Sequence, residues 1–263
     1  MDDIDVRMEV AVRTAREAGA ILLRFFRDLN GYERKGRVNL VSEADKSAEA
    51  FLIRELRHYF PADGVIAEET EQPDWGQSGF VWVIDPLDGT TNFVHCHPHF
   101  CVSISLIKDG VPIIGVVYAP IYDELFCGVR GRGAYCNEVP ISVSQTTSLY
   151  TALIASGFPY NREVDVLAPL LERVQRVLQA SHGFRRAGSA ALDMCYVAAG
   201  RLDAYWEEDV RAWDVAAGVV FVEEAGGRCT DLNGRPCDIF KGKVIASNSH
   251  IHDELLALLF DSQ

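Results

Sequence analysis

The sequence lacks several features that would each define a class. No stretch approaches the ~20 consecutive apolar residues that a membrane-spanning helix needs. The longest apolar runs, 111–121 and 215–222, are interrupted by glycine or proline. There is no basic excess: 25 Lys and Arg against 38 Asp and Glu leave a net charge of −13. Such a chain repels a phosphodiester backbone, which argues against nucleic-acid binding through a basic face. It also makes any phosphate ligand dependent on local neutralisation, by metal ions or helix ends. The seven cysteines include no Cys-x-x-Cys pair and form no even framework, so they read as reduced thiols. The opening Met1-Asp2-Asp3-Ile4-Asp5 is acidic where a secretory leader is basic and then apolar. No repeat, low-complexity tract or long linker divides the chain. These absences predict a cytoplasmic protein with a single domain, 1–263, and no membrane partner.

What is present is a globular composition, with 48% hydrophobic and 24% charged residues over 263 positions. Residues 4–28 carry apolar side chains at helical spacing, and 42–59 predict a second helix that stops before Pro61. Strand-like runs follow at 64–67, 80–84, 101–108, 111–118 and 124–129, with Asp109-Gly110 as a tight hairpin turn. A further strand at 152–155 precedes helices at 163–180, 189–199, 213–225 and 249–260, with short strands near 202–206 and 243–246. Pro169 predicts a kink or late start in the first of these helices, and Gly226-Gly227 terminates the third. Helices that flank and separate strand runs argue for a layered α/β or α+β architecture.

The chemistry concentrates in Trp82-Val83-Ile84-Asp85-Pro86-Leu87-Asp88-Gly89-Thr90-Thr91-Asn92. A buried apolar strand ends in a carboxylate, and Pro86 biases Asp85 towards an extended backbone. Asp88 follows three residues on, so a tight turn converges both carboxylates. Gly89 permits close backbone approach, and the next residues can open a short helix facing an anion. Two carboxylates beside an anion site suit Mg²⁺, which takes a few hard oxygen ligands from protein and leaves the rest to water and phosphate. With five specified positions at roughly 5–7% each, chance occurrence of Asp-Pro-x-Asp-Gly-Thr in this chain is on the order of one in ten thousand. Two other acidic sites join it. Glu68-Glu69 ends a β-like run and, taken alone, is a solvated loop. Asp214 opens an apolar helix and, taken alone, is a first-turn carboxylate answering the dipole. Beside Asp85 and Asp88, both point towards metal ligation.

Together with Leu40-Val41-Ser42-Glu43-Ala44-Asp45, Ala155 to Tyr160, Gly188 to Leu192, Ala204 to Glu207, Trp213 to Gly227 and Val244 to Asn248, that string resembles the inositol monophosphatase family. These are Mg²⁺-dependent, lithium-sensitive sugar phosphatases, and the resemblance covers nearly the whole chain. It implies an α+β fold, a layered αβαβα sandwich, and a homodimer. It implies two or three Mg²⁺ ions held by Glu68, Asp85, the Leu87 carbonyl, Asp88 and Asp214. Asp45 and Thr90, hydrogen-bonded to each other, would orient the attacking water, with Glu68 reaching a weaker third ion through water. Gly89 and Thr90 amides would grip phosphate, while Ala190, Glu207 and Asp214 would meet the rest of the substrate. The implied activity is hydrolysis of a small phosphate monoester, myo-inositol-1-phosphate first. The rivals are fructose-1,6-bisphosphate, histidinol phosphate and a nucleotide 3′-phosphate, with a non-catalytic interaction protein on the same fold further off.

Other residues carry alternatives. Ser42-x-x-Asp45 also resembles a capping box. His95, His97 and His99 alternate and on a strand would share a face, which invites a zinc reading, yet no carboxylate or cysteine spacing completes a site. Arg34 and Lys35 fall where relatives place a basic residue near the third metal. Arg185 and Arg186 read as solvated or interface residues. Glu208 and Asp209 add negative charge at the substrate rim.

Overall fold

The computed structural model describes residues 3–28, 34–70, 72–159 and 161–260. Two long helices, α1 (Asp3–Asp28) and α2 (Arg34–Tyr59), precede strands β1 (Asp63–Ala67), β2 (Asp74–Gly76) and β3 (Phe80–Asp88). After the short helix α3 (Thr90–Val94) come β4 (Cys101–Lys108), β5 (Val111–Ala119), β6 (Glu124–Val129), β7 (Ala134–Cys136) and β8 (Val139–Pro140). The second half runs β9 (Leu153–Ser156), α4 (Val164–Ala180), β10 (Gly183–Arg185), α5 (Ala190–Ala198) and β11 (Ala204–Glu208). It closes with α6 (Ala212–Glu224), β12 (Arg228–Thr230), β13 (Lys243–Ser247) and α7 (His252–Phe260).

The described strands form an eight-stranded sheet, ordered β2-β1-β3-β4-β5-β6-β7-β8, and a five-stranded sheet, ordered β10-β9-β11-β13-β12. Side-chain alternation sorts the layers. Trp82 and Ile84 of β3 pack with Leu22 of α1 and Leu52 and Leu56 of α2. Val81 and Val83 face the other way, with α5 and α6, and meet Tyr205 and Ala246 of the smaller sheet. Trp206 and Ile245 point outwards onto α4 and α7. The order is therefore helix, sheet, helix, sheet, helix, the αβαβα sandwich that the resemblance implies. Each fully buried side chain of this kind contributes about 1.5–3 kcal/mol relative to exposure.

Element limits differ from the sequence pattern where physics other than apolar periodicity decides them. The second helix begins at Arg34 rather than Ser42, so Ser42 and Asp45 lie inside it and no capping box exists there. The side chains of Arg34 and Lys35 lie outside the described residues. Helix α4 starts at Val164, five residues before Pro169, so there is no late start. Three-residue strands β10 and β12 are too short to carry a visible alternation. The Asp109-Gly110 turn is as expected, both residues having positive φ (52° and 78°), which a two-residue hairpin demands. Gly226, at φ 87°, closes α6. Among the described residues no helix is long and apolar enough to cross a membrane, and the seven cysteines are free thiols.

Candidate active site

A β-bulge decides where Asp85 and Asp88 point. Asp85 pairs with Ser103, but Asp88 pairs with Cys101, so three steps along β3 match two along β4. With strict period-two alternation, carboxylates three apart would lie on opposite faces. The extra residue resets the alternation and puts both on the face towards α5 and α6. Gly89 then turns the chain at φ 98°, and a Cβ there would stand 2.9 Å from the His99 carbonyl oxygen.

Three further segments converge on this point. Glu49 of α2 accepts from the Glu69 N–H at 2.9 Å and the Thr70 hydroxyl at 3.0 Å, and so fixes the turn carrying Glu68. Asn92 donates to the carbonyls of His99 (2.7 Å) and Ala187 (2.9 Å), which draws the chain at Gly188 against α3. The Ser103 hydroxyl donates to the Trp213 carbonyl at 3.2 Å and anchors the start of α6 beside β4. The result is a cleft of about 630 Å³ lined by Glu68, Asp85, Leu87, Asp88, Gly89, Thr90, Ala190, Glu207 and Asp214. Every residue that the resemblance implies lines it except Asp45, which is buried in α2 behind Glu68.

The carboxylates lean on protein donors. Asp85 Oδ1 accepts from the Leu87 N–H at 2.8 Å. Asp88 Oδ2 accepts from the Ser189 hydroxyl at 2.6 Å and the Ala191 N–H at 2.8 Å, at the N-terminus of α5. Asp214 Oδ2 accepts from the Arg211 N–H at 2.6 Å. Even so, all are pushed up from the usual carboxylate range. Burial is the largest cause for Asp45 (about 8), with Glu68, Glu69 and Glu49 adding repulsion. Glu68 keeps an exposed outer edge, yet loss of water on its cleft side raises it to about 7, a hydrogen bond with Asp85 opposing. Asp85, Asp88 and Asp214 rise for the same first reason, and each also feels carboxylates of the group or opposing hydrogen bonds.

This arrangement fits a divalent cation. The donors are hard oxygens, several carboxylates repel one another, and Asp45 Oδ1 is buried without a hydrogen-bond partner. Among the described residues, no three acidic, imidazole or thiol groups already stand together as a ready-made metal site. The inward carboxylates are instead turned onto Leu87, Ser189, Ala191 and Arg211.

One expected contact is not formed. Thr90 Oγ1 donates to the Leu87 carbonyl at 3.0 Å, not to Asp45. The first turn of α3 places this hydroxyl over its own chain, three residues back. The histidines also correct the strand reading: His95 caps α3 and the others lie in the turn before β4. His99 is buried, held near pKa 4 by burial and by His97, with ring contacts to Tyr122 and Tyr196. It packs among aromatic rings as a core residue. Arg186 is exposed, as expected, and it lines the mouth of the cleft.

A family model described as the inositol monophosphatase family matches residues 3–263. The chain belongs to the inositol monophosphatase family. It is 41% identical over 254 residues to the inositol-1-monophosphatase of Synechocystis, covering 96% of this chain and 88% of that one. It is 40% identical over 257 residues to a protein of Pasteurella multocida named Nus factor SuhB, covering 95% and 94%. The solved inositol monophosphatase from Anabaena superposes with a TM-score of 0.88 at 40% identity, over 98% of this chain and 96% of that one. Family membership makes the protein a phosphoric monoester hydrolase.

Sequence reasoning missed how Glu207 is held. The Tyr205 hydroxyl donates to it, and a Cβ on Gly157 would overlap its carboxylate. Burial raises Glu207 to about 7, the Tyr205 hydrogen bond opposing. The signal was available only as the glycine in Ser156-Gly157-Phe158. Gly157→Ala is expected to displace Glu207 and raise KM for a polyol phosphate about tenfold with kcat within a factor of about three, roughly one lost hydrogen-bonded contact. Steady-state kinetics check it; an unchanged KM rejects this positioning.

Proposed function

We propose that the protein hydrolyses the phosphate monoester of a small polyol, myo-inositol-1-phosphate first, to the free alcohol and inorganic phosphate, with Mg²⁺ as cofactor. The observation that carries this reading is the convergence of carboxylates from β3, the Glu68 turn and α6 in one cleft, where no ion pair of the described residues neutralises them. Glu68, Asp85, the Leu87 carbonyl, Asp88 and Asp214 would hold two or three cations. When bound, these neutralise the charge of the phosphate and lower the pKa of the attacking water. Asp45, with its unpartnered oxygen, and Thr90 orient that water; no protein nucleophile is required. The amides of Gly89 and Thr90 face the phosphate, and Ala190, Glu207 and Asp214 border the alcohol. We further propose a cytoplasmic protein that forms a homodimer; sedimentation of the purified protein tests the dimer.

The decisive experiment is phosphate release from inositol-1-phosphate with and without Mg²⁺, together with a Li⁺ titration. Release should require Mg²⁺ and be suppressed by Li⁺. Mg²⁺-dependent release only from fructose-1,6-bisphosphate, histidinol phosphate or a nucleotide 3′-phosphate would move the substrate assignment; silence towards every monoester would reject the activity. Within the site, Thr90→Ala should lower kcat about 10²-fold with Mg²⁺ binding retained, as loss of a proton-orienting group does. Asp214→Asn should weaken Mg²⁺ binding itself. Calorimetric titration separates the two, and loss of Mg²⁺ binding in Thr90→Ala would overturn the division of roles.

A further inference from the structure

Asp193 stands outside every motif considered so far. It lies in the first turns of α5, its N–H on the Ser189 carbonyl at 3.0 Å, among Ala191, Leu192, Met194 and Cys195, all fully buried. A lone carboxyl in so apolar a helix face demands a reason. Asp193 is only 2% exposed, yet its side chain borders the active cleft. Among the described residues no donor reaches its carboxyl, and the charged groups it faces are Asp88, Glu207 and Arg186.

Arg186, exposed to solvent, lines the same cleft as Asp193 and Glu207. Its guanidinium lies over Gly188, at φ 91°, where a Cβ would overlap Nη1, and it stands 5.9 Å from the Phe158 ring centroid. It acts electrostatically on both Asp193 and Glu207. This part of the cleft therefore carries two carboxyls and one guanidinium. Two acceptors with one donor match a ring of neutral hydroxyls and mismatch a second anion.

We infer that Asp193 and Glu207 together accept hydrogen bonds from two hydroxyls of the substrate alcohol, making Asp193 a specificity-determining residue that selects neutral polyol monoesters over bisphosphates. This rests on the phosphatase reading above and extends it to this part of the same cleft. A buried carboxyl that lacks a protein partner is satisfied when the substrate arrives, and a substrate without that hydroxyl leaves it unpaired.

The test uses the full chain at saturating Mg²⁺, with Asp193→Leu and Asp193→Asn. Leucine keeps the branched shape among apolar neighbours, at a larger volume, and removes the acceptors; asparagine is isosteric and keeps one. Each is assayed on inositol-1-phosphate, p-nitrophenyl phosphate and fructose-1,6-bisphosphate, with melting temperature as a folding control. Asp193→Leu should lower the ratio of kcat/KM for inositol-1-phosphate over p-nitrophenyl phosphate about tenfold, through KM, and should relax discrimination against the bisphosphate. Asp193→Asn should recover most of the ratio. An unchanged ratio, or a kcat loss shared equally by all three substrates, overturns the assignment of Asp193 alone. If Asp193→Leu fails to fold, a full wild-type ratio in Asp193→Ala has the same force. A wild-type protein that splits p-nitrophenyl phosphate but shows no preference for inositol-1-phosphate overturns the polyol reading as well.

Discussion

Asp85→Asn is expected to lower turnover about 10³-fold while raising the melting temperature of the metal-free protein. The first effect follows from geometry. Asp85 lies at the centre of the acidic cluster, raised by burial and then by Glu68, Asp88, Asp214 and Asp45. Removing one preorganised electrostatic contact of this kind costs about 10²–10³-fold, and a carboxylate at the centre of the acidic cluster belongs at the upper end. The second effect follows from the same repulsion. Asparagine retains an oxygen for the Leu87 N–H, which Asp85 Oδ1 accepts at 2.8 Å, so the bulge keeps its local hydrogen bond. What disappears is a buried acid with several like-charged neighbours. Relief of that strain should raise the midpoint by a few degrees, at about 2–4 °C per kcal/mol for a chain of this size.

Asp63→Asn is the natural contrast. Asp63 is equally buried, but it accepts from Arg7 Nη2 at 3.0 Å, the Ser78 hydroxyl at 2.6 Å and Trp82 Nε1 at 3.1 Å. Arg7 is itself held between the Phe60 and Phe80 rings, at 4.4 and 4.5 Å. Breaking one side of this buried pair leaves the guanidinium only the exposed Asp3 carboxylate, at 3.3 Å, and should lower the midpoint. Melting curves in EDTA, with activity at saturating Mg²⁺, separate the two variants. An Asp85→Asn protein that melts lower than wild type, or keeps its turnover, removes the metal-centre reading.

The contrast also marks what a sequence can and cannot disclose. Asp85 and Asp88 were legible because Pro86 and Gly89 punctuate them, but their common face depends on a bulge that no periodicity predicts. The helices around Leu22 and Val219 are legible from apolar spacing, whereas residues 34–41 of α2 carry no such stripe, so the spacing starts that helix only at Ser42. Glu68, Glu207 and Asp214 belong to one cleft only because separate segments meet there. Family resemblance supplied that convergence. It did not supply Asp193 or the cradle around Glu207, which depend on Gly157, Gly188 and Arg186 meeting in space. Nor did it place the Thr90 hydroxyl, which is satisfied locally by the Leu87 carbonyl.

The second large effect is a linkage between protons, Mg²⁺ and stability. Asp45 is raised from 3.8 to about 8, first by burial and then by Glu68, Glu69 and Glu49. A carboxyl raised in the folded state binds its proton more tightly there than in the unfolded chain, so the stability it confers is present at low pH. That stability is lost as pH climbs from the ordinary carboxylate range through about 8. The metal-free protein should therefore melt progressively lower between pH 5 and pH 8.5. Mg²⁺ must displace those protons, so its apparent affinity should rise with pH, by up to about tenfold per unit for each proton displaced. At a fixed Mg²⁺ concentration the thermal upshift should be larger at pH 8.5 than at pH 6. Calorimetric titration in two buffers of different ionisation enthalpy should show proton release on Mg²⁺ binding at pH 6.5 and little at pH 9. The exposed edge of Glu68 lets solvent screen its share, whereas Asp85, Asp88 and Asp214 are buried and raised with Asp45, so Asp45→Asn should reduce both pH dependences together without abolishing them. A metal-free protein that becomes more stable with rising pH, or an Mg²⁺ upshift equal at both pH values, would show that these carboxyls are already ionised and that the cleft needs no cation to hold its charge.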